Sequence, residues 1–197
     1  MPLPQEVDVN IRPFARECLS AANEHYEVIV FTAGLREYAD PILDKLDPDG
    51  SLISYRLYRE HCYQVQCADK NAANSIPELN TSTFVKDLRI LGGRDLKEIL
   101  IVDNSIFSFA AQLDNGIPIS DFIDDKSDKE LRTLTRYIRR AASYSDVRLA
   151  NREQFGLSTR FGIDKSAGQS PSFIMYKVDQ EKEQLLEDFF QFFFPGG

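Results

Sequence analysis

Ile99-Leu100-Ile101-Val102-Asp103-Asn104-Ser105, four apolar residues running straight into small polar ones, constrains this chain more than any other stretch. A short continuous apolar run suits a strand buried on both faces of a parallel sheet, and ligands of open α/β sheets gather beyond the carboxyl ends of such strands. Asp103 and Asn104 therefore fall where a metal or a phosphate would be handled. A second run, Tyr26 to Thr32, delivers the Thr32 hydroxyl to its own end, followed by Ala33-Gly34. Between the two, Phe84-Val85-Lys86-Asp87-Leu88 sets a lysine among apolar residues, a fixed cation for an anionic substrate. Hydroxyl, ammonium, carboxylate and amide together form a phosphate-handling set.

The rest of the chain reads as alternating helix and strand. Val7 to Ile11 alternates like a short edge strand, and Pro13 opens a helix with Phe14, Cys18, Leu19 and Ala22 on one face. Leu35 to Leu46 is the next helix, kinked or restarted at Pro41, and Asp47-Pro48-Asp49-Gly50 is a turn before a strand at Ile53 to Tyr58. Asp69 to Ser82 has the composition of an exposed insertion. Ser105 to Leu113 is a turn and short helix, Ile117 to Ile119 a last strand, and Ser127 with Glu130 a capping box for a helix through Ile138. From Ala150 the glycines break the pattern, and only the acidic, Phe-rich stretch Glu181 to Phe194 has helical spacing, as a helix packed on the domain or a partner-docking motif.

Composition enters through charge. With 23 basic and 31 acidic residues the net charge is -8, which repels nucleic-acid phosphates over most of the surface. The densest basic stretch, Arg132, Arg136 and Arg140, is a solvated helix face whose cations suit the helix dipole. No membrane span, signal peptide or transit peptide is legible, so no membrane partner and a nuclear or cytoplasmic location are expected. Cys18, Cys62 and Cys67 have no Cys-x-x-Cys spacing and read as reduced thiols rather than a zinc site.

In order along the chain, Tyr26-Glu-Val-Ile-Val-Phe-Thr-Ala-Gly-Leu-Arg-Glu-Tyr-Ala-Asp-Pro-Ile-Leu-Asp-Lys-Leu-Asp47, Tyr58-Arg-Glu-His-Cys62, Phe84-Val-Lys-Asp-Leu88, Ile101-Val-Asp-Asn-Ser105 and Asp114-Asn-Gly-Ile-Pro118 resemble the FCP/SCP-type (NIF-domain) small C-terminal-domain phosphatases of the haloacid dehalogenase superfamily. The resemblance implies an α/β, Rossmann-like fold with a small β insertion over Asp47 to Thr83. It implies Mg²⁺-dependent hydrolysis of phosphoserine or phosphothreonine in a phosphorylated protein substrate. Thr32 would hydrogen-bond the phosphoryl group, Lys86 would neutralise it, and Asn104 would bind Mg²⁺ with Asp103 supporting the site. The domain would span residues 7–157, leaving 158–197 as a tail with the Phe-rich helix.

The family's first motif, Asp-x-Asp-x-Thr, supplies its nucleophile and general acid, and this sequence does not contain it. Asp8 does not stand in its place. The resemblance therefore implies an N-terminally incomplete domain without its central first strand, inactive alone. The alternative is a pseudophosphatase, a non-catalytic module that binds or scaffolds phosphoproteins. The strands ending at Thr32 and Val102 would then either pair with each other or leave the fold open between them.

Overall fold

The computed structural model describes residues 9–66 and 82–161. After an irregular start, Pro13-Phe14 turns the chain, Phe14 taking φ 65° under the Arg132 guanidinium 4.2 Å from its ring. Helix α1 (Ala15–Asn23) buries Cys18 and Ala21. Strand β1 (Ile29–Phe31) follows, then helix α2 (Arg36–Leu46), which runs unbroken through Pro41. The buried Asp47 carboxylate ends α2 by accepting the amides of Ser51, Leu52 and Ile53 at 3.0, 3.1 and 2.9 Å. Burial pushes this carboxyl up, but the three amides outweigh it and hold the group below its ordinary range. That turn leads into β2 (Tyr55–Leu57), which pairs parallel with β1, Val30 opposite Arg56.

Strands β3 (Tyr63–Gln66) and β4 (Ser82–Val85) form an antiparallel pair. β5 (Ile101–Asp103) pairs parallel with β6 (Gly116–Pro118), with the kinked 3₁₀ segment Ile106–Asn115 crossing between them. Gly116 is required at its position: a Cβ there would lie 2.1 Å from the Phe109 ring, which is fully buried. Helices α3 (Glu130–Ala141), α4 (Val147–Gln154) and α5 (Leu157–Arg160) complete the described chain.

The core is gathered on one side. Val85, Leu88, Ile101, Phe109, Leu113 and Ile117 pack with Cys18, Ile138, Phe155, Leu157 and Phe161, whereas α2 buries only Leu43 and β1 is half-buried throughout. Buried Asn151 of α4 ties this side together. It accepts the Tyr137 hydroxyl at 2.6 Å and donates to the carbonyls of Asp114 and Gly116 at 2.8 and 3.2 Å.

β1 and β5 do not pair. Ser54 donates to the Val28 carbonyl and Thr32 to that of Leu57, so the alternation of a parallel ladder turns the backbone groups of Ile29 and Phe31 away from β2. On β5 the Asp103 carbonyl accepts the Ile119 amide, which turns Leu100 and Val102 away from β6. These two edges bound an apolar cleft of about 550 Å³, floored by α1 and α3 through Leu19, Ala22, Leu134 and Ile138. Val102 is 39% exposed in consequence. The strands run the same way: the Glu27 carboxylate before β1 accepts from Arg94 at the start of the cleft, while Thr32 and Asp103 both lie by Cys62 at its end.

Several expectations change. Residues 9–11 form no strand, and Val7 and Asp8 lie outside the described residues. The strands foreseen at Tyr26 to Thr32 and Ile53 to Tyr58 shrink to three residues each, because only those residues find a ladder partner. The run from Ile99 starts pairing at Ile101, and instead of burial on both faces only the face of Ile101 and Asp103 is buried, while Val102 on the opposite face is exposed. The Ser127–Glu130 capping box does not form; Asp128 accepts the Glu130 amide at 2.9 Å and also holds Arg12, while Ser127 turns to Asp125. Order continues past Ala150 through α4 and α5, and Phe161 belongs to the core. The Asp69–Ser82 insertion, except Ser82, and the Phe-rich stretch lie outside the described residues, as does Cys67.

Candidate functional site

Each parallel pair ends where its polar residues begin, so the pairing itself carries the candidate groups to one end of the cleft. At the end of β1 the Thr32 amide is spent on β2, and its Oγ1 accepts the Gly34 amide at 2.9 Å. A hydroxyl that accepts through oxygen keeps its hydrogen to donate outward. The Thr32 carbonyl lies 3.9 Å from the Cys62 thiol, beside the 3₁₀ turn Arg59–His61.

Lys86 leaves β4 buried, its backbone amide bonded to the Ser108 carbonyl at 2.7 Å and its ammonium on Asp103 Oδ2. Asp103 uses its other oxygen to accept the Ser105 amide at 2.8 Å, so the carboxylate is fixed at both ends. Among the described residues one of the three ammonium hydrogens is committed, to Asp103, which leaves two for a ligand. Asp87 does not compete for Lys86. It accepts the amide and guanidinium of Arg89 and the Gln112 side-chain amide, and the Arg89 guanidinium chiefly holds its carboxyl below the ordinary range.

Cys62 completes the ring between the strand ends. Burial pushes its thiol up against the opposing pull of Lys86 and Arg59, so it is a poor nucleophile. Arg59 donates to the Ala33 carbonyl at 2.7 Å, and Arg36 lies 4.1 Å over the ring of buried Tyr58, whose hydroxyl is bonded to Asp40. These two arginines lie on the rim at the Thr32 end, Arg36 paired there with Glu60 at 3.6 Å. The structure thus brings Lys86 and Asp103 into direct contact, while Thr32 lies at the end of the other strand with its carbonyl 3.9 Å from the Cys62 thiol, which feels the charges of Lys86 and Asp103.

Asn104 points elsewhere. Its amide nitrogen donates to Asp121 Oδ1 at 2.6 Å on the surface, which leaves the Asn104 carbonyl oxygen as an available acceptor. For a magnesium ion the fit is partial: Asp103 has both oxygens engaged, and Asn104 with Asp121 offers an amide and a carboxylate oxygen. That set suits a largely hydrated ion, the form in which Mg²⁺ is commonly held. Among the described residues no group of three or more His, Cys, Asp or Glu converges as a metal centre. Sequence reasoning missed Asp121, Arg36, Arg59 and Cys62 as contributors. Asp121 lies in an irregular stretch with no periodicity to mark it, whereas the Arg59 and Cys62 positions lay within a matched motif.

No helix among the described residues is long and apolar enough to cross a membrane. The sequence profile of the NLI interacting factor-like phosphatases matches residues 3–148. CTD small phosphatase-like protein 2 of Dictyostelium discoideum is 40% identical over 146 residues, which is 74% of this chain and 23% of that protein. The carboxy-terminal domain RNA polymerase II polypeptide A small phosphatase 1 of Homo sapiens is 36% identical over 142 residues, 72% of this chain and 48% of that one. The solved structure of Fcp1, an essential RNA polymerase II CTD phosphatase, covers 83% of this chain and 40% of its own at 20% identity and a TM-score of 0.42, too loose a match to assign any residue a role. The chain therefore spans less than half the length of these proteins.

Proposed function

The chain belongs to the NLI interacting factor-like phosphatase family, and from that premise we propose that it is a protein serine/threonine phosphatase-type domain of haloacid dehalogenase chemistry that takes phosphorylated protein segments at the Thr32–Lys86 end of its cleft. The observation that carries this reading is buried Lys86, held by Asp103, with the Thr32 hydroxyl free to donate at the end of β1, where the Thr32 carbonyl adjoins Cys62. Phosphoryl transfer asks the protein mainly for positioning and charge stabilisation, and these groups supply both for the phosphoryl oxygens. Arg59, with Arg36 beside it in an ion pair with Glu60, offers guanidinium donors toward the rest of a phosphopeptide. Magnesium, carried by Asn104 and Asp121 with water, would supply further neutralisation when bound. A nuclear or cytoplasmic location is part of the same reading.

What the 197-residue chain lacks is an attacking carboxylate in an Asp-x-Asp-x-Thr setting. Asp103 is occupied by Lys86 and the Ser105 amide, so it cannot take that part. On its own this chain binds a phosphorylated segment and does not hydrolyse it. The test is Mg²⁺-dependent hydrolysis of an aryl phosphate, with phosphopeptide binding measured on the same sample. Expected are no turnover and binding weakened about tenfold in Lys86→Ala, the loss of a charge-assisted contact. Turnover that survives Asp8→Asn and dies with Lys86→Ala would assign the nucleophile to another carboxylate and overturn the proposal.

A further inference from the structure

Helix α3 carries a single sign of charge along its outer face. Arg132, Arg136 and Arg140 are all exposed, and their four-residue spacing sets them in an arc of about 80° around the axis. Among the described residues Arg139 alone of the helix's arginines has an acidic partner, Glu24 at 3.1 Å. The acids nearest in sequence are turned off this face: Asp128 is taken by Arg12, and the half-buried Glu130 carboxyl lies on the Ser120 backbone. The charge run is therefore an unneutralised strip on a chain whose net charge is -8.

Two of the three guanidiniums are also held in place. Arg132 lies 4.2 Å from the centre of the Phe14 ring, and Arg140 lies 5.2 Å from that of Tyr137 while donating to Gln154 at 2.9 Å. A stacked guanidinium gives up rotamer freedom in advance and keeps donors on its edge for a ligand. Phe14 reaches this position through an unusual backbone. Its spacing to Cys18 suits the buried face of α1, yet it takes φ 65°, rare for a bulky side chain, and its ring lies under Arg132 instead of in the core.

We infer that the Arg132–Arg136–Arg140 strip is a docking surface for an acidic helical segment of a partner protein, with its carboxylates one turn apart. Spacing and charge commit the strip to this occupant. Residues four apart rise about 6 Å along a helix axis, so glutamates at the same spacing on a partner helix meet successive arginines. The guanidinium fork matches a carboxylate at each meeting. Nucleic acids and anionic membranes extend their charge far beyond the strip's length of about 12 Å, onto surroundings whose net negative charge repels them. A short acidic segment ends where the strip ends. The inference goes beyond the phosphatase reading, uses none of the residues at the Thr32–Lys86 end, and stands without it.

The probe is a fluorescein-labelled, unphosphorylated helical peptide with glutamate at every fourth position, titrated with the full chain at low ionic strength and followed by fluorescence anisotropy. Expected is binding that Arg132→Gln with Arg136→Gln weakens roughly fivefold, whereas Lys45→Gln with Lys97→Gln, the same loss of charge at exposed positions elsewhere, leaves it unchanged. Phe14→Leu should weaken binding about threefold in the native background and have no effect in the Arg132→Gln chain, the signature of a ring that acts through that guanidinium. Equal weakening by the two double variants would show only a response to net charge and overturns the inference. Loss of the peptide with Lys86→Ala and not with the arginine pair would place it at the other anion site and overturns it too. So does tighter, arginine-dependent binding of oligouridine or of phosphatidylserine vesicles. Since the peptide carries no phosphate and the titration does not read hydrolysis, failure here leaves the phosphatase reading untouched.

Discussion

At the scale of single residues, neighbours in sequence hold opposite offices. Lys86 turns inward to Asp103, and Asp87 turns along the chain to Arg89 and Gln112, fixing the turn that presents Lys86. The Asp87 carboxyl is held below its ordinary value, chiefly by the Arg89 guanidinium, so the folded state binds that proton more weakly than the unfolded chain. Its contribution is fully present above the unfolded carboxylate value of about 3.9 and is lost as pH falls through the lower folded value. Asp87→Asn should cost about 1–2 kcal/mol at pH 7 and flatten the fall in urea midpoint below pH 4. An unchanged midpoint at pH 7 would show that the turn holds without the carboxylate. That Thr32, Lys86, Asp103 and Asn104 lie at or next to strand ends was legible because each ends or interrupts an apolar run. The contact of Asp121 was not, since its partner Asn104 lies seventeen positions away and Asp121 itself is in an irregular segment.

At the scale of elements, apolar runs mark where a strand can exist and pairing decides how much of it does. Both runs yielded strands at the expected places, trimmed to the residues with ladder partners. Helix α4 was illegible for the opposite reason: Val147–Gln154 reads as polar, and its central buried residue is an asparagine. That asparagine is chosen for its hydrogen bonds, which join α3, α4 and the ends of β6 and the 3₁₀ segment. Asn151→Ala should strip the Tyr137 hydroxyl and two carbonyls of their partner and cost about 2–4 kcal/mol. Chemical denaturation checks it, and a loss below about half a kilocalorie per mole would mean water replaces the side chain.

At the scale of the molecule, the core is one-sided. The described core residues lie on α1, β4 to β6, the 3₁₀ segments and α3 to α5, while α2 contributes one buried residue. Elements with few buried apolar contacts open below the global unfolding free energy. Amides of Arg36–Leu46 should therefore exchange hydrogen before those of α3 and α4, as followed by mass spectrometry; equal rates would show a single cooperative unit. The separation of the two parallel pairs has a dimensional consequence as well. Adjacent strands lie about 4.8 Å apart, so two strands flanking a third are held about 9.6 Å apart. Thr32 and Asp103 stand at the ends of β1 and β5, whose edges are unpaired with one another among the described residues, so a strand laid between them would act as a shim. The gap between the two groups would then be a matter of backbone thickness, a dimension that substitutions at either residue leave untouched.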